Sequence, residues 1–176
     1  MEESRKGCRP CFTIQAETTT SLQIMELDAK AWKILAAVQR DGRISLKALA
    51  AEVGLSLPAV SERLKRLEEA RVVTGYRAAV DVAALGYGVL AMIAMTTPQA
   101  DKARLLARLE MLPEVTECLH VTGQDSYLLR IVARDIAHLE QLVGSINHYG
   151  ETRTSIVMSV PIPQRPVAPP KGSQAS

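Results

Sequence analysis

Aromatic side chains are scarce in this 176-residue chain: one Trp, one Phe and four Tyr, 3% of the total. That scarcity argues against single-strand or RNA recognition, in which bases stack on aromatic rings. Long apolar runs are missing too, and none reaches the ~20 residues that a membrane span needs. The first residues are polar and hold no apolar stretch of the kind that makes a secretory signal, so the expectation is a cytoplasmic protein without a membrane partner. Cysteine is limited to Cys8, Cys11 and Cys118, an odd count that speaks against a disulfide framework. Cys8 and Cys11 form a CxxC, but no second pair or nearby His completes a zinc site, and neither metal nor cofactor is expected. Cys118 falls on a strand pattern and is expected to be a small buried residue. Charge of one sign is also lacking: the net value is +2, so any basic surface must be local.

What is present is apolar material, 47% of the chain against 23% charged, enough for the core of one ordinary domain or two small ones. Residues 1–24 show no period and are rich in Thr, Ser and charge, as in a flexible extension. From Asp28, a predicted N-cap, Ala31, Ile34, Leu35 and Val38 recur at helical spacing until Asp41-Gly42 stops the pattern. Two short helical patterns then flank a glycine between Ser45 and Leu67. Leu46, Leu49, Ala50 and Val53 share one face, and Val60, Leu64 and Leu67 another. Gly54 suits a positive φ at the end of the first, and Ser45 and Ser56 suit the caps. A small residue where helices cross, a glycine turn and a branched anchor are the marks of a helix-turn-helix. Ser61, Glu62, Arg63, Lys65 and Arg66 lie on the polar side of the second helix, where Arg and Lys reach phosphates or base edges. A pair of amphipathic helices with a solvated charged side would look the same.

Val72 to Arg77 reads as β and leads into a bridge ending near residue 86. The texture then changes. Gly88 to Thr96 is an apolar strand; Leu105, Leu106, Leu109 and Leu112 mark a helix ended by Pro113. Val115–Thr122 and Tyr127–Ala133 read as strands, Asp135 caps a further helix, and Thr152–Val160 is a last strand. The order βαββαβ predicts a ferredoxin-like four-stranded antiparallel sheet with both helices on one face. The first strand is nonetheless apolar on both faces, Leu90 and Met92 on one and Val89, Ala91 and Ile93 on the other. A sheet buried on both faces implies a sheet-to-sheet homodimer. Residues 161–176 hold five of the nine prolines and no period, and disorder is expected there. The domains are thus 1–24, 25–72, 73–86, 87–160 and 161–176, and the fold class is α+β, a trihelical winged-type helix-turn-helix followed by the ferredoxin-like domain.

Several separated motifs, in order, resemble the Lrp/AsnC (feast/famine) family of transcription regulators: LDAKAWKIL (27–35), DGRIS (41–45), LAAEVGLS (49–56), VSERLKRLEEARVVTGYRA (60–78) and VTGQDSYLLRI (121–131). The resemblance implies a DNA-binding head, a hinge strand and a ligand-responsive domain that pairs into dimers and assembles further into tetramers or octamers. It implies a recognition helix over Ser56 to Leu67. It also implies an amino-acid effector held by Thr122, Gly123, Gln124, Asp125 and Ser126, facing Thr152, Thr154 and Ser155. The family often carries Asp where Ser126 stands; here Asp125 lies one position earlier, where its carboxylate can meet an effector's ammonium. Turn chemistry alone also accounts for Gly and Asp in this loop.

The expected function is therefore a sequence-specific regulator of double-stranded DNA. Arg63, Lys65 and Arg66 contact phosphates, while Ser56, Pro58, Ala59, Ser61 and Glu62 sit closest to base edges. Two alternatives remain open. Some tetrapyrrole decarboxylases resemble this architecture and use histidines; here His120, His138 and His148 show no metal-ligand spacing and no catalytic residue is assigned. An architectural protein coating DNA with little sequence preference has the same motifs.

Overall fold

The computed structural model describes residues 27–170, so the amino-terminal extension, Cys8, Cys11 and residues 171–176 lie outside the described residues. The chain divides into two units, one ending at Ala78 but rejoined by the chain from Gln164, the other spanning Ala79–Pro163.

The head is built from α1 (Ala29–Arg40), α2 (Leu46–Val53) and α3 (Leu57–Glu69). Asp28 caps α1 by accepting from the Ala31 N–H, and Ser45 caps α2 by accepting from the Ala48 N–H. Gly54 ends α2 in the left-handed region, φ 68°, where a Cβ would be strained. Lys30 closes the same helix end by donating to the Val53 carbonyl at 2.7 Å, placing a cation at the negative pole of α2. Ile34, Leu49, Val53, Val60 and Leu67 are fully buried, each stabilising the fold by roughly 1.5–3 kcal/mol. Trp32 packs against this core, its indole N–H buried without a partner among the described residues.

Three expectations need correction in this unit. Ser56 stands at the N-cap of α3 but makes no side-chain cap bond; Pro58, at the second helical position, has no N–H to offer it. Leu46 is exposed, because it begins α2 before the helix turns toward the core. Val72 to Arg77 forms no strand, since an extended segment becomes a strand only when its N–H and C=O groups find a neighbouring ladder. Instead α3 closes through Val72 and Val73, whose N–H groups both donate to the Leu67 carbonyl, with Arg71 at φ 59°.

The second unit contains β1 (Val89–Thr96), α4 (Lys102–Glu110), β2 (Val115–His120), β3 (Tyr127–Ala133), α5 (Ile136–Gly144) and β4 (Glu151–Ile156). This is the βαββαβ order read from the sequence, and the antiparallel sheet runs β2-β3-β1-β4. Asp135 caps α5 through the His138 N–H. Ala91, Ile93 and Met95 of β1 and Leu129 and Ile131 of β3 pack against Leu105, Leu109, Leu139 and Leu142 of the two helices. Strand alternation sends Leu90, Met92 and Ala94, with their partners Val132, Arg130 and Leu128, to the opposite face. No helix of this unit packs on that face, and Leu90, Met92, Ala94 and Leu128 remain half-buried there.

β4 is shorter than expected, ending at Ile156 rather than Val160. Cys118 is exposed rather than buried, since β2 is an outer strand that the helices do not fully cover. Residues 161–170 of the proline-rich tail form neither helix nor strand, and residues 164–170 group with the head. No helix among the described residues is long and apolar enough to cross a membrane.

Candidate nucleic-acid interface and effector loop

In the head, α3 carries the residues expected to meet DNA. Ser56, Pro58, Glu62, Lys65 and Arg66 are exposed, whereas Ala59, Ser61 and Arg63 are half-buried. All three cations are engaged within the chain. Arg63 Nη1 lies 2.7 Å from Asp28 Oδ2, Arg66 Nε 3.0 Å from Glu62 Oε1, and Lys65 Nζ 3.5 Å from Glu69 Oε1. The Asp28 carboxyl is held below its ordinary range, chiefly by the Ala31 N–H and then by the Arg63 guanidinium. Such exposed pairs are worth about 0–1 kcal/mol, little enough for a phosphate to displace them. Arg43 and Lys47, which precede and open α2, are exposed and form no ion pair among the described residues. Sequence reasoning passed over them because it looked for charge only on the second helix of the motif, while the first helix crosses the DNA backbone in this geometry.

At one end of the sheet, the loop between β2 and β3 turns at Gly123, φ 113°, and closes with the Val121 N–H on the Ser126 carbonyl at 3.0 Å. Ser126 belongs to the frame. Its N–H donates to Met95, and its hydroxyl accepts from the Thr97 N–H at 3.2 Å and donates to the Thr97 carbonyl at 3.3 Å. Asp125 faces another way, accepting from the Arg153 guanidinium and from the Thr96 hydroxyl at 3.4 Å. That hydroxyl also lies 3.3 Å from the Gln124 carbonyl, so its one proton is shared. Thr122, Gly123 and Gln124 are exposed.

The last-strand residues expected to face this loop do not share a surface. Thr152 and Thr154 stand opposite Met95 and Ile93, on the helix-covered side, whereas Arg153 and Ser155 stand opposite Ala94 and Met92 on the other. Of β4, the residue that reaches the loop is Arg153. The sequence reading missed it because it favoured hydroxyl groups, although Arg153 lies between the two threonines it chose and is the natural partner of a carboxylate. Gly150 was missed as well. A Cβ there would sit 2.2 Å from the Thr96 carbonyl oxygen, so the approach to β4 requires glycine beside the loop.

A cavity of about 390 Å³ opens elsewhere in this unit, lined by Leu85, Gly86, Tyr87, Glu114, Arg134 and His138. His138 Nδ1 accepts from the Arg134 N–H at 3.2 Å, and Nε2 lies 3.5 Å from Glu114. The histidines do not converge: His120 lies beside Tyr127 and His148 beside Tyr149. Among the described residues no three His, Cys, Asp or Glu side chains form a metal-binding group.

Comparison with known proteins agrees with both halves of this geometry. Residues 27–74 match the model of a winged helix-turn-helix DNA-binding domain, and residues 90–167 that of the Lrp/AsnC ligand binding domain. The chain is 39% identical over 122 residues to a leucine-responsive regulatory protein of Rhizobium meliloti (strain 1021), covering 68% of this chain and 78% of that one. The structure of LrpC from Bacillus subtilis superposes with a TM-score of 0.76 at 28% identity, covering 80% of this chain and 100% of the other. A transcriptional regulator of Neisseria meningitidis in complex with L-Met superposes at 0.74 with 29% identity, covering 80% of this chain and 96% of that one. The relatives are named as regulators, and the decarboxylase alternative falls.

Proposed function

The chain belongs to the Lrp/AsnC family of DNA-binding transcriptional regulators, and from that premise we propose that it reads duplex DNA as a dimer whose occupancy is set by an amino-acid effector. The observation that carries this reading is the pairing, in one chain, of a helix-turn-helix head with a sheet domain whose second face leaves Leu90, Met92, Ala94 and Leu128 uncovered by its own two helices. Apposition of two such faces buries Leu90, Met92, Ala94 and Leu128 and places two copies of α3 about a two-fold axis. Dimers then assemble into tetramers or octamers.

Ser56, Pro58, Ala59, Ser61 and Glu62 open α3 toward base edges, and Arg63, Lys65 and Arg66 exchange their internal carboxylates for phosphates. Arg43 and Lys47 add phosphate contacts from α2. With few side chains suited to bidentate base reading, DNA shape and half-site spacing supply part of the specificity. The effector lies at the contact between dimers, over Thr122, Gly123, Gln124 and Asp125. Asp125 takes its ammonium, Arg153 its carboxylate, and Ser155 lines the same face; Ser126 sets the loop, and Thr152 and Thr154 support β4 from behind.

The test is footprinting on the protein's own promoter with and without each of the twenty amino acids. A discrete footprint that one of them alters is the expected result. Continuous coverage without sequence preference would instead favour DNA coating, and no footprint on any duplex would overturn the reading.

A further inference from the structure

The last described residues do not group with the domain they follow. Pro163 closes the ligand-binding unit, but the chain from Gln164 joins the head. Gln39 receives it. The Gln39 amide donates to the Val167 carbonyl at 3.2 Å, and its oxygen accepts from the Val167 N–H at 2.8 Å. An extended residue presents its N–H and C=O to the same side, and a primary amide offers a donor and an acceptor side by side. Gln39 therefore pairs with Val167 as a neighbouring strand would.

The segment suits such a contact. Pro161, Pro163, Pro166, Pro169 and Pro170 restrict φ to about −65°, so the tail is stiff and extended before it docks and loses little freedom on docking. Proline also removes competing donors: between Pro166 and Pro169, only Val167 and Ala168 keep an N–H. The receiving position is well connected. Gln39 sits in the last turn of α1 beside Arg40, which pairs with Glu52 of α2 at 2.7 Å. The other end of α1 is Asp28, the partner of Arg63 in α3.

We propose that residues 164–170 are a strap, docked on α1 through the Gln39–Val167 amide pair, that makes β4 of the ligand-binding domain a second lead to the head. The first lead is the linker before β1. Val167 follows Ile156, the end of β4, by eleven residues, and Arg153 of the effector loop lies on that strand. A shift of β4 on effector binding then pulls on α1, the helix that holds Arg63 in its internal pair. The docking stands by itself; the regulatory half rests on the effector reading given above.

Hydrogen exchange of the Val167 amide, measured on the full chain, tests the docking. Protection of roughly tenfold over an unstructured amide is expected, since exposed local contacts open readily. Gln39→Glu, which keeps the acceptor and loses the donor, should reduce it, and Gln39→Ala should abolish it. An unprotected Val167 amide in the unaltered chain, or full protection in Gln39→Ala, would overturn the strap. Val167→Pro removes the donor without altering the sequence of α1, α2 or α3 and tests the coupling. The change in DNA affinity that an active amino acid causes should shrink at least threefold, with the affinity for that amino acid itself unaltered. An undiminished response would overturn the coupling. Should no amino acid alter DNA binding by the unaltered chain, the effector reading and the coupling fail together, while the exchange result decides the strap alone.

Discussion

Arg63 of α3 and Asp28, the cap of α1, form a 2.7 Å ion pair, so a cation proposed to meet DNA is held by the residue that starts the first helix. One carboxylate thus serves two ends: it caps a helix and occupies the cation.

The two roles separate in Asp28→Asn. Asparagine caps as well as aspartate, so stability should change by less than about 1 kcal/mol, while Arg63 is released for phosphate. Non-specific DNA affinity should rise a few-fold, read by fluorescence anisotropy across salt concentrations. Arg63→Gln should weaken binding to all duplexes and flatten the log–log salt slope by about 1.

The same residue gives a pH dependence. Its folded-state carboxyl is lowered from 3.8 by the Ala31 N–H and by Arg63, so its stabilisation is complete above that value and is lost as pH falls through the folded one. The unaltered head should therefore lose stability more steeply below about pH 4 than Asp28→Asn, as followed by thermal melts.

Beside the β2–β3 loop, Asp125 and Arg153 are mutual partners, and in the proposed site an amino acid replaces each for the other. Arg153→Gln should weaken an effector bearing a carboxylate by about tenfold or more, with less effect on the matching amine, as measured by calorimetry. Equal losses for both ligands would contradict the assignment of Arg153 to the carboxylate.

Two glycines should behave oppositely. Gly150→Ala drives a Cβ into the Thr96 carbonyl and should cost about 1–3 kcal/mol in urea unfolding. Gly144→Ala, at the end of α5 with nothing within 4 Å, should be neutral or stabilise by up to about 1 kcal/mol.

Although the Cys118 residue is exposed on its outer strand, partial burial of its thiol raises that group to about 11, leaving it protonated at neutral pH and a weak nucleophile. Peptide mapping after iodoacetamide treatment at pH 8 should find it alkylated at least tenfold more slowly than free cysteine.

Periodicity carried most of the fold. Ile34, Leu49, Val60 and Leu67 announced the head, and the caps Asp28, Ser45 and Asp135 fall where short polar residues precede apolar runs. What eluded the sequence depends on pairing across distance. Val72–Arg77 has strand composition but no ladder to join. The register that sets Thr152 and Thr154 opposite Met95 and Ile93, on the other face from Arg153 and Ser155, is equally invisible locally. The internal pairs of Arg63, Lys65 and Arg66 were only partly legible: Glu62 and Glu69 stand at helical spacing from their partners, but Asp28 is 35 residues from Arg63. Gln39 and Val167 are 128 residues apart, and nothing local in either points to the other.

The sheet's outer strands carry charge at both borders. Glu117 lies on β2, and Glu151 and Arg153 on β4. A further strand added at either border would have to desolvate these charges, a deterrent to open-ended stacking. In the proposed sheet-to-sheet pairing, a single partner copy covers Leu90, Met92, Ala94 and Leu128, and the contact is then used up. On the proposed pairing, association would close on itself rather than extend into fibres.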